Sequence, residues 1–315
     1  MGSAALSIIT AILGVEFIFG NMSNGFIVLV NITEWVRRRK ITSVDQLLTA
    51  LAISRICQLW TIFLIKLLSV YFPPVLWTKG VCKMSSMTWI SANHFSMWFA
   101  TSLSIFYFLK IANFSNSTFL YLKCRVEKAI SGTLLVSLVI LFLNIAFSNA
   151  YIDSWIEEYK RNRTGNSSSQ ESLYLSRRFL FSYMIFIIIP FTMSLTTFLL
   201  LIFSLWRHLR KMQLRAMGPR DASTAAHLQG LQTVFAFLLF YAIFFLSLVI
   251  QILISWLQAK NVVTMAAHIF TMTFPSCHSY ILIVRTKKLR QASLSILWSL
   301  KCSFKDKGCS FLSAI

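Results

Sequence analysis

Acidic residues are scarce in this chain. Only 10 Asp and Glu stand among 315 residues, against 30 Lys and Arg, and charged residues together make up 13% of the sequence. Soluble domains carry about a quarter charged residues and about 45–50% apolar ones. With 57% hydrophobic residues and a mean hydropathy of +0.68, the chain is therefore not an ordinary soluble enzyme. Cysteine is sparse as well: the six, at positions 57, 82, 124, 277, 302 and 309, have no C-x-x-C spacing, so neither a zinc site nor a disulfide framework follows. A net charge of +20 in a soluble protein would point to nucleic acid. Here the cations lie between long uncharged runs and form no stripe on one domain, which argues against a nucleic-acid partner. What remains is a polytopic membrane protein.

Crossing about 30 Å of hydrocarbon takes about 20 apolar residues in a helix. Seven stretches qualify: about 3–30 with Glu16 as its only charge, about 44–72 with Arg55 and Lys66, and about 84–109, 129–150, 179–206, 231–257 and 262–284 with no Asp, Glu, Lys or Arg. Nothing before Arg37 is basic, so the charged n-region of a cleaved signal peptide is missing and the first span is expected to act as the signal anchor. Leu6 breaks the N-terminal myristoylation pattern. One membrane domain over 1–284 and a tail over 285–315 are expected. The tail opens with KKLRQASLSILWSL, which places Leu289, Ser293, Ile296 and Leu300 on one face of a short amphipathic helix over about 287–300.

The cations set the orientation. With the N-terminus outside, twenty fall on inner segments, grouped at 37–40, 110–128, 207–220 and in the tail, and eight on outer ones. The chain is thus expected to be N-out and C-in at the plasma membrane. The largest outer loop, about 151–178, holds the sequons Asn162-Arg163-Thr164 and Asn166-Ser167-Ser168, the two expected to carry glycan. Asn21, Asn31, Asn113 and Asn116 also match but are buried or cytosolic in this topology and are expected to be unused.

Residue motifs sharpen the class. No Asp-Arg-Tyr ends the third span and no Asn-Pro-x-x-Tyr lies in the seventh, so the usual rhodopsin-like marks are missing. Instead the second span reads LLTALAISRI (Leu47 to Ile56), and the third ends in FYFLKIANFSNSTFLYLK (Phe106 to Lys123). The fifth holds PFTMSL (Pro190 to Leu195) followed by LLLIFSLWRHLRKMQ (Leu199 to Gln213), the sixth FLLFYA (Phe237 to Ala242), and the seventh PSCHSYILIVRTKKLRQASLSIL (Pro275 to Leu297). This ordered set closely resembles the type 2 taste receptors, the bitter taste receptors, from Glu16 to about Leu297. The signature HS-x-x-LI-x-x-x-x-KL is met by His278, Ser279, Leu282, Ile283, Lys288 and Leu289. The resemblance implies an all-α, seven-span G-protein-coupled receptor that takes small bitter agonists in its bundle and engages a heterotrimeric G protein of the gustducin type, embedded in membrane lipid.

Several residues stand out as sites. At about 1.5 Å per residue from the inner ends, Asn24 lies about 10 Å deep, Arg55 about 16 Å and Glu16 about 22 Å. Charges at such depth face the bundle interior. Arg55 is expected to bond to Asn24 and to a hydroxyl such as Ser276 or Ser279. The resemblance places it in an activation network with Asn24, His278 and Ser279; the plain alternative is a static brace.

On the third span Trp89 and Asn93, four residues apart, share a face. Packing or a helix–helix hydrogen bond is the ordinary use of either, but the resemblance puts both in the ligand-contacting part of that helix. His94 and Trp98 point elsewhere and read as packing residues. His268 is a further pocket candidate, and Tyr241, Phe244, Phe245 and Phe186 are weaker ones, since aromatic stripes at helical spacing are usually core. Lys66 either snorkels to water or offers a cation to ligand. Lys110, Lys123, Arg125, His208, Lys211 and Lys288 are candidates for G-protein coupling, although positive-inside charge alone would put cations there.

Glu16, His94, His268 and His278 have no carboxylate partner at a usable spacing, and Cys277-His278 diverge by about 100° on a helix. No catalysis, metal or cofactor is expected. A type 1 vomeronasal receptor shares the architecture, but the HS-x-x-LI and LKIANFSNS strings favour taste. A transporter would call for repeats and intramembrane acids, and this chain has one such acid.

Overall fold

The computed structural model describes residues 3–39, 41–76, 78–112, 114–163, 169–215, 238–250, 253 and 262–312. All elements among them are helices: α1 (Ser3–Arg38), α2 (Ser43–Tyr71), α3 (Pro73–Leu76), α4 (Lys79–Ile111), α5 (Ser117–Cys124), α6 (Val126–Arg163), α7 (Ser169–Arg215), α8 (Leu238–Ile250), α9 (Val262–Arg285) and α10 (Lys287–Leu312). With no water in hydrocarbon to satisfy backbone groups, helices that close their own hydrogen bonds are the natural spanning elements. Four of these, in α1, α2, α6 and α7, are long and apolar enough to cross a membrane, and α8 is a shorter apolar helix.

The turns have local causes. Arg39 takes a left-handed φ of 53° and donates its amide to Trp35 O, which ends α1. Thr42 then caps α2 by accepting from the Asp45 amide while its hydroxyl donates to the Asp45 carboxylate at 2.8 Å. Asn116 caps α5 in the same way, through Thr118 N and Phe119 N. Its side chain is thus engaged, as are those of Asn21, which donates to Phe17 O, and Asn31, which reaches Thr49 Oγ1 at 3.0 Å.

Packing runs α1 with α2 and α9, and α4 with α2, α6 and α7. Central α4 buries Asn93, His94, Ser96, Thr101, Ser102 and Ser104 along with its apolar residues. It is the polar helix of the bundle because its neighbours, rather than lipid, surround it. Hydroxyls hold it to α7: Thr101 Oγ1 donates to Pro190 O, Ser194 Oγ to Thr101 Oγ1 at 2.9 Å, and Ser104 pairs with Thr197. Such small polar residues are the usual adhesive between membrane helices, where lipid tails remove any hydrophobic gain from association. Gly20 lets α1 close on its neighbours, since a Cβ there would stand 2.5 Å from Ser276 Oγ and 2.7 Å from Leu59 Cδ1.

Two features differ from the sequence reading. The stretch read as a large outer loop is mostly helix, with α6 running to Arg163 and α7 starting at Ser169. It contains no proline, and Glu157 stands four residues before Arg161, a helix-supporting spacing. The tail helix is 26 residues long rather than the short one expected over 287–300. Leu289 is buried in the core, whereas Ile296 of the same proposed face is exposed beside Leu297 and Trp298. Within the helical extension of α6, Asp153 binds Lys79 and Lys83 of α4, each at 3.0 Å, tying those two helices where Cys82 is a free thiol.

Candidate functional site

One turn of polar residues joins α1, α2 and α9 in the middle of the bundle. Arg55 is fully buried and its Nη1 donates to Ser279 Oγ at 2.8 Å. Ser279 Oγ in turn donates to Asn24 Oδ1 at 2.7 Å. Asn24 Nδ2 donates to Gly20 O at 2.7 Å on its own helix and to Pro275 O at 3.2 Å across on α9. The sequence reading put Arg55 directly on Asn24; instead the Ser279 hydroxyl lies between them, accepting from one and donating to the other. Ser276, the alternative hydroxyl, is taken up by Glu16, donating to its backbone oxygen at 3.1 Å, while Thr273 donates to the Glu16 carboxylate at 2.7 Å.

Aromatic rings extend this seam. The Arg55 guanidinium lies 5.0 Å over the Phe274 ring. Phe274 stacks on His278 at 5.4 Å and also meets Phe244 at 4.9 Å and Tyr241 at 5.5 Å. Tyr241 touches Phe191, which stacks on Phe245 at 4.0 Å. Tyr241 and Phe244, singled out above as weak pocket candidates, are therefore rungs of a buried column from α7 through α8 and α9 to Arg55. Phe274 and Phe191 were missed. The signal for Phe274 was present, since it stands four residues before His278 on the same face; the pairing of Phe191 with α8 needed the fold.

Asn93 lies one turn further from the basic end. It is buried and accepts from Gln58 Nε2 at 3.1 Å, so Gln58, three residues from Arg55, links the seam to α4. Asn93 also lines a small void with Phe186 and Pro190 of α7, Asn144 of α6, and His94 and Trp98 of its own helix. His94 holds α6 through Ser137 O at 2.9 Å, a packing role as expected, while its ring still walls the void. The void measures about 10 Å³; pockets for small ligands measure about 300–1,000 Å³, so this one is closed to a ligand of that size. Trp89 is half-buried one turn away, packed on Leu59, Ile62 and Met272. Asn93 and Phe186 thus meet at one void and Trp89 sits beside it, while Lys66 is a half-buried residue of α2. His268 belongs to α9, but its side chain lies outside those described, as do those of His208, Lys211 and Asn162, and all of Asn166.

At the basic end, Lys288 is bound by Glu34 of α1 and, at 3.0 Å, by Asp45 of α2. Lys123 donates to Ala112 O at 2.8 Å, Arg125 lies 4.7 Å over Tyr121 and donates to its hydroxyl, and Lys110 is exposed near Phe106.

This is the interior of an all-helical polytopic membrane protein, with polar groups turned inward to one another between helices. The class is a heptahelical receptor, as the comparisons with known proteins establish. Residues 1–301 match the family described as "Taste receptor protein (TAS2R)". Taste receptor type 2 member 125 of Rattus norvegicus is 52% identical over 306 residues, covering 97% of this chain and 98% of the rat protein. Taste receptor type 2 member 14 is 52% identical over 307 residues in Pongo pygmaeus and 50% identical over 306 in Homo sapiens, each covering 97% of this chain and 96% of the relative. The chain belongs to the type 2 taste receptor family: it is a bitter taste G-protein-coupled receptor, not an enzyme.

Proposed function

We propose that small, mostly apolar agonists enter between α4, α6, α7 and α9, and that their binding is relayed to the Arg55–Ser279–Asn24 seam. The observation that carries this reading is the continuity of the buried side chains: the void at Asn93 is one hydrogen bond from Gln58, and the aromatic column ends over Arg55. A ligand larger than the closed void must displace Phe186, Trp98 or their neighbours. Because packed interiors shift between discrete arrangements, such a displacement favours a second packing of the column and changes the partners of Arg55. Trp89, Asn93 and His268 are the residues proposed to meet ligand, with Phe186 and Lys66 at its edges. The basic end then engages a G protein of the gustducin type through Lys110 to Lys128, Arg207 to Arg220 and Arg285 to Arg290.

The test is expression with a chimeric G protein and a screen of chemically diverse bitter compounds by calcium response. Agonist-evoked calcium is expected from at least one, with Arg55→Ala altering signalling per surface receptor; responses unchanged in that variant would leave Arg55 a passive brace. The orientation at the plasma membrane is proposed as N-out. Glycan is expected at Asn162, Asn166 or both and lost in the double Gln variant, as read by glycosidase-sensitive mass. Glycan at Asn113 or Asn116 would reverse the orientation.

A further inference from the structure

The basic end of the bundle carries two groups of cations in different electrostatic states. Lys288 is neutralised, with Glu34 and Asp45 both on its ammonium. Lys110, Lys123, Arg125 and Lys128 surround a cavity of about 590 Å³, and none of the four has a carboxylate partner among the described residues. Glu127 is the one acid on the wall, and it accepts from Ser43 at 2.7 Å. Four cations against one acid leave a wall charge of +3. The first turns of α2 and α6 also open on this cavity, through Ser43 and Val44 on one side and Val126 to Lys128 on the other. The macrodipoles of these two long helices add positive potential at the cavity. Lys123 is held by Ala112 O and Arg125 by Tyr121, so two of the four charges are positioned without being cancelled.

From this arrangement we propose that the cavity binds a clustered-phosphate anion, the headgroup of a phosphorylated inositol lipid drawn from the inner leaflet. A single phosphate neither fills 590 Å³ nor balances +3. A ring bearing two or more phosphates does both, since charge-assisted phosphate contacts are about twice as strong as neutral hydrogen bonds. The cavity lies at the C-terminal end of α4 and the N-terminal end of α2, the basic end that the N-out orientation puts at the inner leaflet, and basic pockets between spans on the cytoplasmic side are recognised binding sites for such headgroups. An acidic protein segment meets the same charges, but it spreads its carboxylates along a chain, whereas the four cations here face one cavity of about 590 Å³, the size of a ring bearing several phosphates. The proposal rests on the N-out orientation only for the source of the anion; binding to the cavity does not depend on it.

The test uses the purified full chain in neutral detergent micelles and a fluorescent short-chain phosphatidylinositol bisphosphate, read by polarisation. Saturable binding is expected. Lys110→Gln/Lys128→Gln changes two exposed side chains and is expected to weaken binding by at least about tenfold, and Lys110→Arg/Lys128→Arg to restore it. Arg285→Gln/Arg290→Gln, which removes two cations elsewhere on the same end, is expected to change it by less than about twofold. Equal loss in both Gln pairs would mean diffuse positive-inside charge and overturn the site, as would non-saturable binding or failure of the Arg pair to rescue. Competition by free inositol trisphosphate as strong as by the lipid would overturn the membrane source. A failed agonist screen leaves these binding outcomes standing, and a reversed glycan map removes only the inner-leaflet source.

Discussion

The seam between α1, α2 and α9 and the void between α4, α6 and α7 both hold buried polar side chains and treat them in opposite ways. In the seam, Ser279 serves Arg55 and Asn24 at once, and Asn24 binds two backbone carbonyls, so each group depends on the next. Around the void, Asn93 meets Gln58 and Asn144 meets Ser148, but the wall is otherwise rings and aliphatic chains around about 10 Å³ of space. A cooperative network resists partial disruption and changes as a unit; an apolar wall yields by rotamer. On the function proposed above, discrimination among varied agonists falls to the second region and the two-state change to the first.

The strongest way to break this contrast is at its hinge. Ser279→Ala removes the acceptor of Arg55 and the donor to Asn24 together, and the bond from the charged Arg55 alone is worth about 1.5–3 kcal/mol. A fall in thermal stability of about that size is expected, with altered basal signalling per surface receptor. Unchanged basal signalling would make the seam a scaffold and the contrast one of rigidity alone. Next comes the void's edge. Trp89→Ala removes a broad ring and is expected to cost most agonists more than about 2 kcal/mol in potency, as the loss of an aromatic anchor does. Asn93→Ala and His268→Ala each remove about 0.5–1.5 kcal/mol, or about 2- to 13-fold, with the size depending on the agonist's polar groups. Concentration–response curves for several agonists separate these cases. Equal losses for every agonist, with reduced surface expression, would mean that Trp89 only packs on Leu59, Ile62 and Met272.

The smallest effect is expected at the basic end. Lys288→Gln leaves Glu34 and Asp45 facing each other, but these side chains are 16–28% exposed, so water screens the pair and about 1 kcal/mol or less is at stake. A double-mutant cycle with Glu34→Gln, read by thermal unfolding, measures the coupling. A coupling energy near zero would leave Lys288 free to meet a G protein, sharpening the difference between this end and the locked seam.

Much of this was legible before the fold was known, and the limits are specific. Arg55 and Asn24 announced an interior polar network because charge in a hydrocarbon span has nowhere else to go. That Ser279 stands between them was not legible, since spacing identifies the face of a helix and not the atom across from it. Lys288 read as one more inner cation; its two acids come from α1 and α2, and no local pattern connects them to the tail. The helical extension of α6 and α7 beyond the span was open to a reading of Glu157 and Arg161, but the sequons and mixed charge suggested loop.

Hydropathy and charge are sums over neighbouring residues, and the bilayer converts them directly into spans and a basic face. The all-α class, the approximate spans and the family motifs were therefore determined by the sequence alone. Contacts between spans depend on helix rotation and register, which many weak, distributed packing terms set together. Only the tertiary structure decided that Tyr241 and Phe244 belong to the column over Arg55, that Asn93 and Phe186 line one void, and that one group of cations at the basic end is cancelled while another is left open around a cavity.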